Sequence, residues 1–267
     1  MNRLVTAKLT ARTRASTSMA FSVAVARNSG YSAVDEVLEV TADGEPVALT
    51  PVADVHGGIL HTLTLEQPAN LELNYRAEVS GVADEPEKDD ADLVRYVRPS
   101  RYCESDRLLP TSYALFGSLQ GSELLSAVRE WVSGNLSYVS GSSRHTDGAT
   151  DTLLARRGVC RDYAHLAIAL LRAKDVPARL VSVYAPGLTP MDFHAVVEAW
   201  ADGAWHVIDA TGLAPRTNLL RIATGRDASD TAFLSTVGGS LTLDTLEVTA
   251  TVDTLHDDDG ASLVRLR

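Results

Sequence analysis

The first eighty or so residues alternate apolar and polar positions with the period of two that belongs to strands. Val5, Ala7, Leu9 and Ala11 are separated by Thr6, Lys8 and Thr10; Phe21, Val23 and Val25 repeat the pattern, as do Leu71, Leu73, Tyr75, Ala77 and Val79. Turn-forming stretches at 28–30, 43–44, 56–58 and 68–70 break these runs at strand-like intervals. The expectation for residues 1–83 is a small antiparallel β-sandwich. Within it, His56 and His61 lie five apart across a Gly-Gly turn, which suits neither a helix face nor a strand face as a metal pair. They read as ordinary surface histidines.

Residues 84–94 form an acidic run with a proline, read as a solvated linker and the best boundary in the chain. From residue 95 the period changes. A helix is predicted from Ser122 through Leu124, Leu125, Val128, Trp131 and Val132, stopping at Gly134-Asn135. A polar loop at 140–148 reads as a wall of a cleft. A short helix follows over 151–157, with Gly158 placed to take positive φ just after it. The next helix opens at or beside Cys160 and runs to Ala173, with apolar residues round most of its circumference, so it should be buried on most sides. Strands are predicted at 178–184, 193–200 and 205–209, the last two joined by Asp202-Gly203, a strong hairpin signal. The loop at 184–190 would border the cleft, and one more strand covers 241–252. The predicted class is α+β, a central helix against an antiparallel sheet in a unit spanning 95–267, preceded by the β-sandwich.

Composition narrows the function. The chain has 267 residues, 24 basic and 35 acidic side chains and a net charge of −11, a balance that argues against nucleic acid or an anionic membrane as partner. No run reaches transmembrane length, and the alternating N-terminus has no signal-type apolar segment, so a cytoplasmic location and free thiols at Cys103 and Cys160 are expected. Residues 257–260 lack the ligand spacing of a calcium loop, the histidines are scattered, and no Gly-rich phosphate loop follows a strand. Neither a metal nor an organic cofactor is implied. Oligomeric state is not legible.

The chemistry gathers at Cys160. A thiol in the first turn of a buried helix feels the partial positive charge of unpaired N–H groups, which favours thiolate. If Asp202 and Gly203 are the hairpin loop, Trp200 pairs with Trp205 and Val196 with Asp209, so His194 and Asp209 become diagonal neighbours on one face, roughly 7–8 Å apart between α-carbons. Val196, Trp205 and Val207 share that face and would shield the pair. An Asp there needs a partner to offset its desolvation, and His194 supplies one. With the Cys160 helix packed on the same face, thiol, imidazole and carboxylate take the roles of nucleophile, base and orienter, and the Cys160 backbone N–H faces an oxyanion. His206 alternates away from Asp209, His165 in the buried helix reads as structural, and Asp162 as a helix cap. Cys103 lies among Arg95, Arg98, Arg101 and Arg107, which could raise its reactivity.

Four blocks, 158–166, 177–184, 193–195 and 205–211, resemble the bacterial transglutaminase-like superfamily, whose members share the papain-like cysteine arrangement. The likeness runs from about residue 96 to 252, and the spacings of 34 residues (194 − 160) and 15 (209 − 194) are what make it specific. It implies Cys160 as nucleophile, His194 as base and Asp209 as orienter, with an N-terminal β domain a familiar companion. It implies acyl transfer on a peptide or protein amide through a Cys160 thioester, whether hydrolysis, deamidation or transamidation. Papain-like proteases place Gln six residues before the cysteine; here that residue is Leu154. Transglutaminases use an upstream aromatic, and Tyr138 is the oxyanion candidate. The alternative from another class is a non-catalytic binding or scaffold module that keeps the fold.

Overall fold

The computed structural model describes residues 1–267. Seven strands come first: β1 (Asn2–Thr13), β2 (Thr17–Phe21), β3 (Tyr31–Ala42), β4 (Glu45–Pro46), β5 (Thr50–Ala53), β6 (Ile59–Leu65) and β7 (Asn70–Gly81). Helices α1 (Asp90–Arg95), α2 (Ser105–Phe116) and α3 (Gly121–Asn135) lead to β8 (Ser137–Tyr138), α4 (Ala149–Ala155), β9 (Arg157–Gly158) and α5 (Cys160–Arg172). Then come β10 (Ala178–Tyr184), β11 (Phe193–Ala201), β12 (Ala204–Ile208), β13 (Leu220–Gly225), α6 (Ala228–Thr231), β14 (Leu234–Thr236) and β15 (Leu241–Val252).

A five-stranded sheet, β15-β1-β7-β3-β4, faces a four-stranded one, β14-β2-β6-β5. Their inward residues, among them Val5, Leu9, Phe21, Leu63, Leu73 and Val248, make one buried core. The second core lies where α5 meets the antiparallel sheet β12-β11-β10-β13, with α2 and α3 on its far side. Apolar side chains nearly encircle α5, whose residues from Asp162 to Arg172 are all buried. Such a helix suits the centre of a fold and could not stand at its surface. The chain thus combines an α+β core, a helix on an antiparallel sheet, with an all-β N-terminal region. No helix is long and apolar enough to cross a membrane.

Two of the expected boundaries need correction. The 95–267 unit does not keep its C-terminal strand: β15 pairs with β1 from Arg3↔Val252 to Thr13↔Leu241, and β14 pairs with β2, so both complete the sandwich. Alternation reveals a strand but not the sheet it joins, and only tertiary pairing decides that. Nor does the acidic run end as a free linker. Asp92 in α1 is buried, accepting from Arg95 Nη1 (2.5 Å) and the buried Arg179 Nη1 (3.2 Å). His56 is not an ordinary surface histidine either, because its Nε2 meets Tyr96 Oη at 2.9 Å and Asp92 Oδ2 at 3.1 Å and so ties the sandwich to the core. Tyr184 adds another tie, its hydroxyl donating to Val23 O at 2.8 Å. Helix α2 escapes the periodicity because Pro110 lies inside it and Ser112 holds a core position, donating to Leu170 O at 2.7 Å.

Candidate active site

Three short elements aim the start of α5. Arg156, with φ 55°, is the left-handed residue that ends α4, in place of the expected Gly158. Gly158 is extended in β9 and is required for a different reason: a Cβ there would stand 2.5 Å from Asp162 Cβ. Asp162 in turn accepts from the Val159 N–H at 2.8 Å and from Ser143 Oγ at 2.9 Å, so it fixes the angle at which the chain enters the helix. The parallel pair β8 and β9 sets Tyr138 beside Gly158, and the Tyr138 hydroxyl reaches the Cys160 backbone N–H. As the first helical residue, Cys160 has no intrahelical acceptor for that N–H. Burial, and then the nearby Cys160 sulfur, push the phenol up to about 12, so it stays protonated and able to donate.

His194 and Asp209 come from the hairpin of β11 and β12. Trp200 pairs with Trp205 and Val197 with Ile208, which is the register expected from Asp202-Gly203. His194 Nε2 lies 2.7 Å from Asp209 Oδ2, and both residues are buried. The other carboxylate oxygen accepts from Thr211 N (2.8 Å) and Thr211 Oγ1 (2.7 Å), an Asx-type clasp that holds the carboxylate still. Burial disfavours a charged imidazole, but the Asp209 carboxylate and the hydrogen bond to Cys160 outweigh it and push His194 up to about 10. For Asp209, burial acts upward, and the charge and hydrogen bond of His194, with the Thr211 bonds, hold it below its ordinary value. The two directions agree on an imidazolium–carboxylate pair. Since Asp209 occupies Nε2, Nδ1 is the nitrogen left for the thiol.

The helix is not on the face expected for it. Helix α5 shares a core with Val197, Ala199 and Ile208, whereas Val196 and Val207, on the alternate face with His194 and Asp209, belong to a separate cluster with Val181 and Val183. The thiol and imidazole meet instead at the end of the sheet, where β11 begins at Phe193 and β12 has finished at Ile208. At a strand end, a side chain can turn past the last hydrogen-bonded pair, so face alternation is a weak guide there.

A cleft of about 560 Å³ opens on this site, and both Cys160 and His194 line it. His145 of the polar 140–148 loop is on its rim, but the 184–190 loop lies elsewhere, with Leu188 buried in another cluster. Much of the wall comes from the sandwich, through Leu234 of β14 and Leu241, Leu243 and Leu246 of β15. Those leucines escape sequence reasoning, since nothing local links residue 243 to residue 160. The Thr211 clasp was findable, because Asp followed two residues later by Thr is a common Asx-turn pattern.

Other candidates resolve simply. Leu154 is 78% exposed and offers no oxyanion donor. His165 is buried under Tyr102, accepts from Ala228 N–H at 3.1 Å, and is driven down to about 3 chiefly by burial, so it is neutral. His206 contacts Ala201 O and not Asp209. Cys103 is wholly buried, which raises its thiol pKa. No three histidine, cysteine or carboxylate side chains converge as a metal site.

Residues 116–210 match the transglutaminase-like superfamily. A crystal structure from Cytophaga hutchinsonii, named as a candidate cysteine protease, is 33% identical, covers 98% of this chain and 96% of its own, and superposes with a TM-score of 0.88. An uncharacterized protein of Mycobacterium leprae is 31% identical over 114 residues, 40% of this chain and 41% of that one. One of Mycobacterium bovis is 43% identical over 72 residues, 25% of this chain and 23% of that one, so the likeness spans less than half of either mycobacterial relative. A match that contains both Cys160 and His194, together with a solved relative alike from end to end, places the chain in the transglutaminase-like superfamily, with an all-β N-terminal region attached to the shared core.

Proposed function

We propose that this chain is a cysteine-dependent acyl-transfer enzyme acting on amides of peptides or proteins. One observation carries the proposal: the thiol at the start of α5 shares a cleft with an imidazole whose pKa it helps to raise, and the Nε2 of that imidazole is clasped by a buried carboxylate. Cys160 is the nucleophile, His194 the base and Asp209 the orienting group. With the thiol proton already held on His194, the sulfur adds to the amide carbonyl carbon. The Cys160 backbone N–H and the Tyr138 hydroxyl are the donors nearest the developing oxyanion. On collapse the C–N bond breaks, His194 returns its proton to the leaving amine or ammonia, and a thioester remains. Water or an amine then attacks that carbonyl, His194 takes its proton, and the thiolate leaves. The name of the Cytophaga relative favours hydrolysis as the outcome.

The test is acyl capture. A digest of casein, supplied with hydroxylamine, should yield peptidyl hydroxamates with wild type and none with Cys160→Ser or His194→Ala. Equal hydroxamate yield from wild type and His194→Ala would refute the assignment.

A further inference from the structure

The chemistry at Cys160 does not say which amide is chosen, but the cleft wall does. β14 is an edge strand: it pairs with β2 on one side and with nothing on the other. The bonds Ser22 N→Phe233 O (2.9 Å) and Val237 N→Ser18 O (2.7 Å) set the phase of the ladder, so Ser235, opposite Ala20, points its N–H and C=O inward. The N–H and C=O of Leu234 and Thr236 therefore face the open edge, and both residues line the cleft that holds Cys160. The edge is close to the imidazole, because Phe193, which precedes His194, stacks at 5.3 Å on Phe233, which precedes Leu234.

The wall beside that edge is apolar by construction. Along β15, strict alternation would send Leu246 to the face opposite Leu241 and Leu243. A bulge prevents this: Thr10 pairs with Thr245 and Ala11 with Leu243, leaving Asp244 as the extra residue. The bulge returns Leu241, Leu243 and Leu246 to one face, and all three line the cleft. Asp244 is turned outward to Arg12, with contacts of 2.6 and 2.8 Å. Leu243 remains 39% exposed.

We propose that the substrate is an extended peptide segment that adds to the free edge of β14 by main-chain hydrogen bonds and seats an apolar side chain on the leucine wall of β15. The inference rests on the acyl-transfer reading and deepens it. Main-chain pairing gives affinity for any extended segment, and alternate side-chain pockets give selectivity. A folded segment does not offer its main chain to the edge, and an acidic one has no apolar side chain for the leucine wall. In this arrangement the sandwich is part of the substrate site, through the last two strands, which follow the catalytic residues in the chain.

Peptidyl chloromethyl ketones test this without knowledge of the natural substrate, since the Cys160 sulfur displaces chloride to form a thioether. Acetyl-Leu-Gly and acetyl-Asp-Gly chloromethyl ketones would be compared with iodoacetamide on wild type, Leu243→Asp and His194→Ala, with modification mapped by mass spectrometry. The Leu label should react roughly tenfold or more faster than the Asp label, as burial of one leucine side chain implies. N-methylating its backbone amides should slow it by a similar factor. Leu243→Asp should remove the preference, read as the ratio of the two labels' rates after each is divided by the iodoacetamide rate on the same variant. Equal rates for the two labels, with iodoacetamide labelling still dependent on His194, would overturn the apolar, extended substrate and leave acyl transfer standing. Loss of the His194 dependence itself would remove both.

Discussion

His194 Nε2 and Asp209 Oδ2 stand 2.7 Å apart at the end of a hairpin, and the second oxygen of Asp209 is fully engaged by Thr211. The carboxylate therefore cannot rotate, and it commits Nε2 to the proton and Nδ1 to the sulfur. Asp209→Asn keeps the shape but offers an amide that can support the opposite tautomer. Hydroxamate formation should fall by up to about 10⁴-fold, the effect of the corresponding change in the serine triad. The melting temperature should move far less than in a core deletion. His206→Ala, which touches Ala201 and not Asp209, should retain most of the activity. An essential His206 beside a dispensable Asp209 would contradict the assignment.

The two thiols should differ sharply. Cys160 is half-buried and lines the cleft, while Cys103 is sealed in the core beside Leu108 and Leu124, with its thiol pushed up by burial. Iodoacetamide at pH 6 should modify Cys160 in the native protein and reach Cys103 only after urea is added. Mapping the carbamidomethyl sites by mass spectrometry decides the matter, and comparable native rates would contradict the site.

The pH dependence of stability follows from the pair. His194 is raised from 6.5 to about 10 by its neighbours against the opposing effect of burial, so its stabilisation is complete below about 6.5 and is lost as pH rises through about 10. Asp209 is lowered, so its share is present above its ordinary value and is lost only in acid. Urea midpoints of wild type minus those of His194→Gln should be positive near pH 6 and shrink steadily between pH 7 and 10. A difference that grew over that interval would reverse the sign and exclude an imidazolium at rest.

Legibility followed the range of the forces involved. The hairpin register could be counted from Asp202-Gly203 because that turn fixes it locally, and it delivered His194 to Asp209 correctly. The helix at Cys160 was readable from its own periodicity. Local sequence failed wherever a partner was distant. It put α5 on the wrong face of the sheet, because contact at a strand end escapes alternation. It gave residues 241–252 to the wrong unit, because a strand does not announce its neighbour. It treated Asp92 as solvated, because nothing near residue 92 announces Arg179.

Gly158 offers a test of how the thiol is aimed. A methyl group there would lie 2.5 Å from Asp162 Cβ and 2.7 Å from Asp162 Oδ2, and Asp162 also holds the Val159 N–H. Gly158→Ala must therefore shift the entry to α5, at a cost of about 1–3 kcal/mol for overpacking. It should also lose His194-dependent alkylation of Cys160. Gly134→Ala is the control: it lies in α3 with nothing within 4 Å of the added Cβ, and should stabilise by about 0.4–1 kcal/mol through the unfolded chain. The urea midpoints of the two variants should move in opposite directions, with His194-dependent labelling lost in Gly158→Ala and unchanged in Gly134→Ala; parallel behaviour would mean that Gly158 has no special place.

Glu198 sits on the same strand as His194 but in a separate, wholly buried network. It receives Arg179 Nε at 2.8 Å and Arg221 Nη1 and Nη2 at 3.0 and 2.7 Å. Arg179 also lies over the Trp205 ring at 4.0 Å and reaches Asp92. Burial alone would raise the Glu198 pKa, but the two guanidiniums overcome it and hold Glu198 at about 2. Glu198→Gln keeps the volume and leaves two buried cations with Asp92 as their remaining carboxylate, a loss of about 3–5 kcal/mol by analogy with broken buried pairs. The sign with pH is fixed: a depressed carboxylate stabilises above its unfolded value near 4.5 and loses that contribution as pH falls towards 2. The gap between wild type and Glu198→Gln in urea midpoint should therefore be widest near neutrality and narrow below pH 4.5. Iodoacetamide labelling of Cys160 per folded molecule should be unchanged, since the network touches neither Cys160 nor Asp209. A variant as stable as wild type at pH 7 would mean that the buried charges are compensated by something other than this carboxylate.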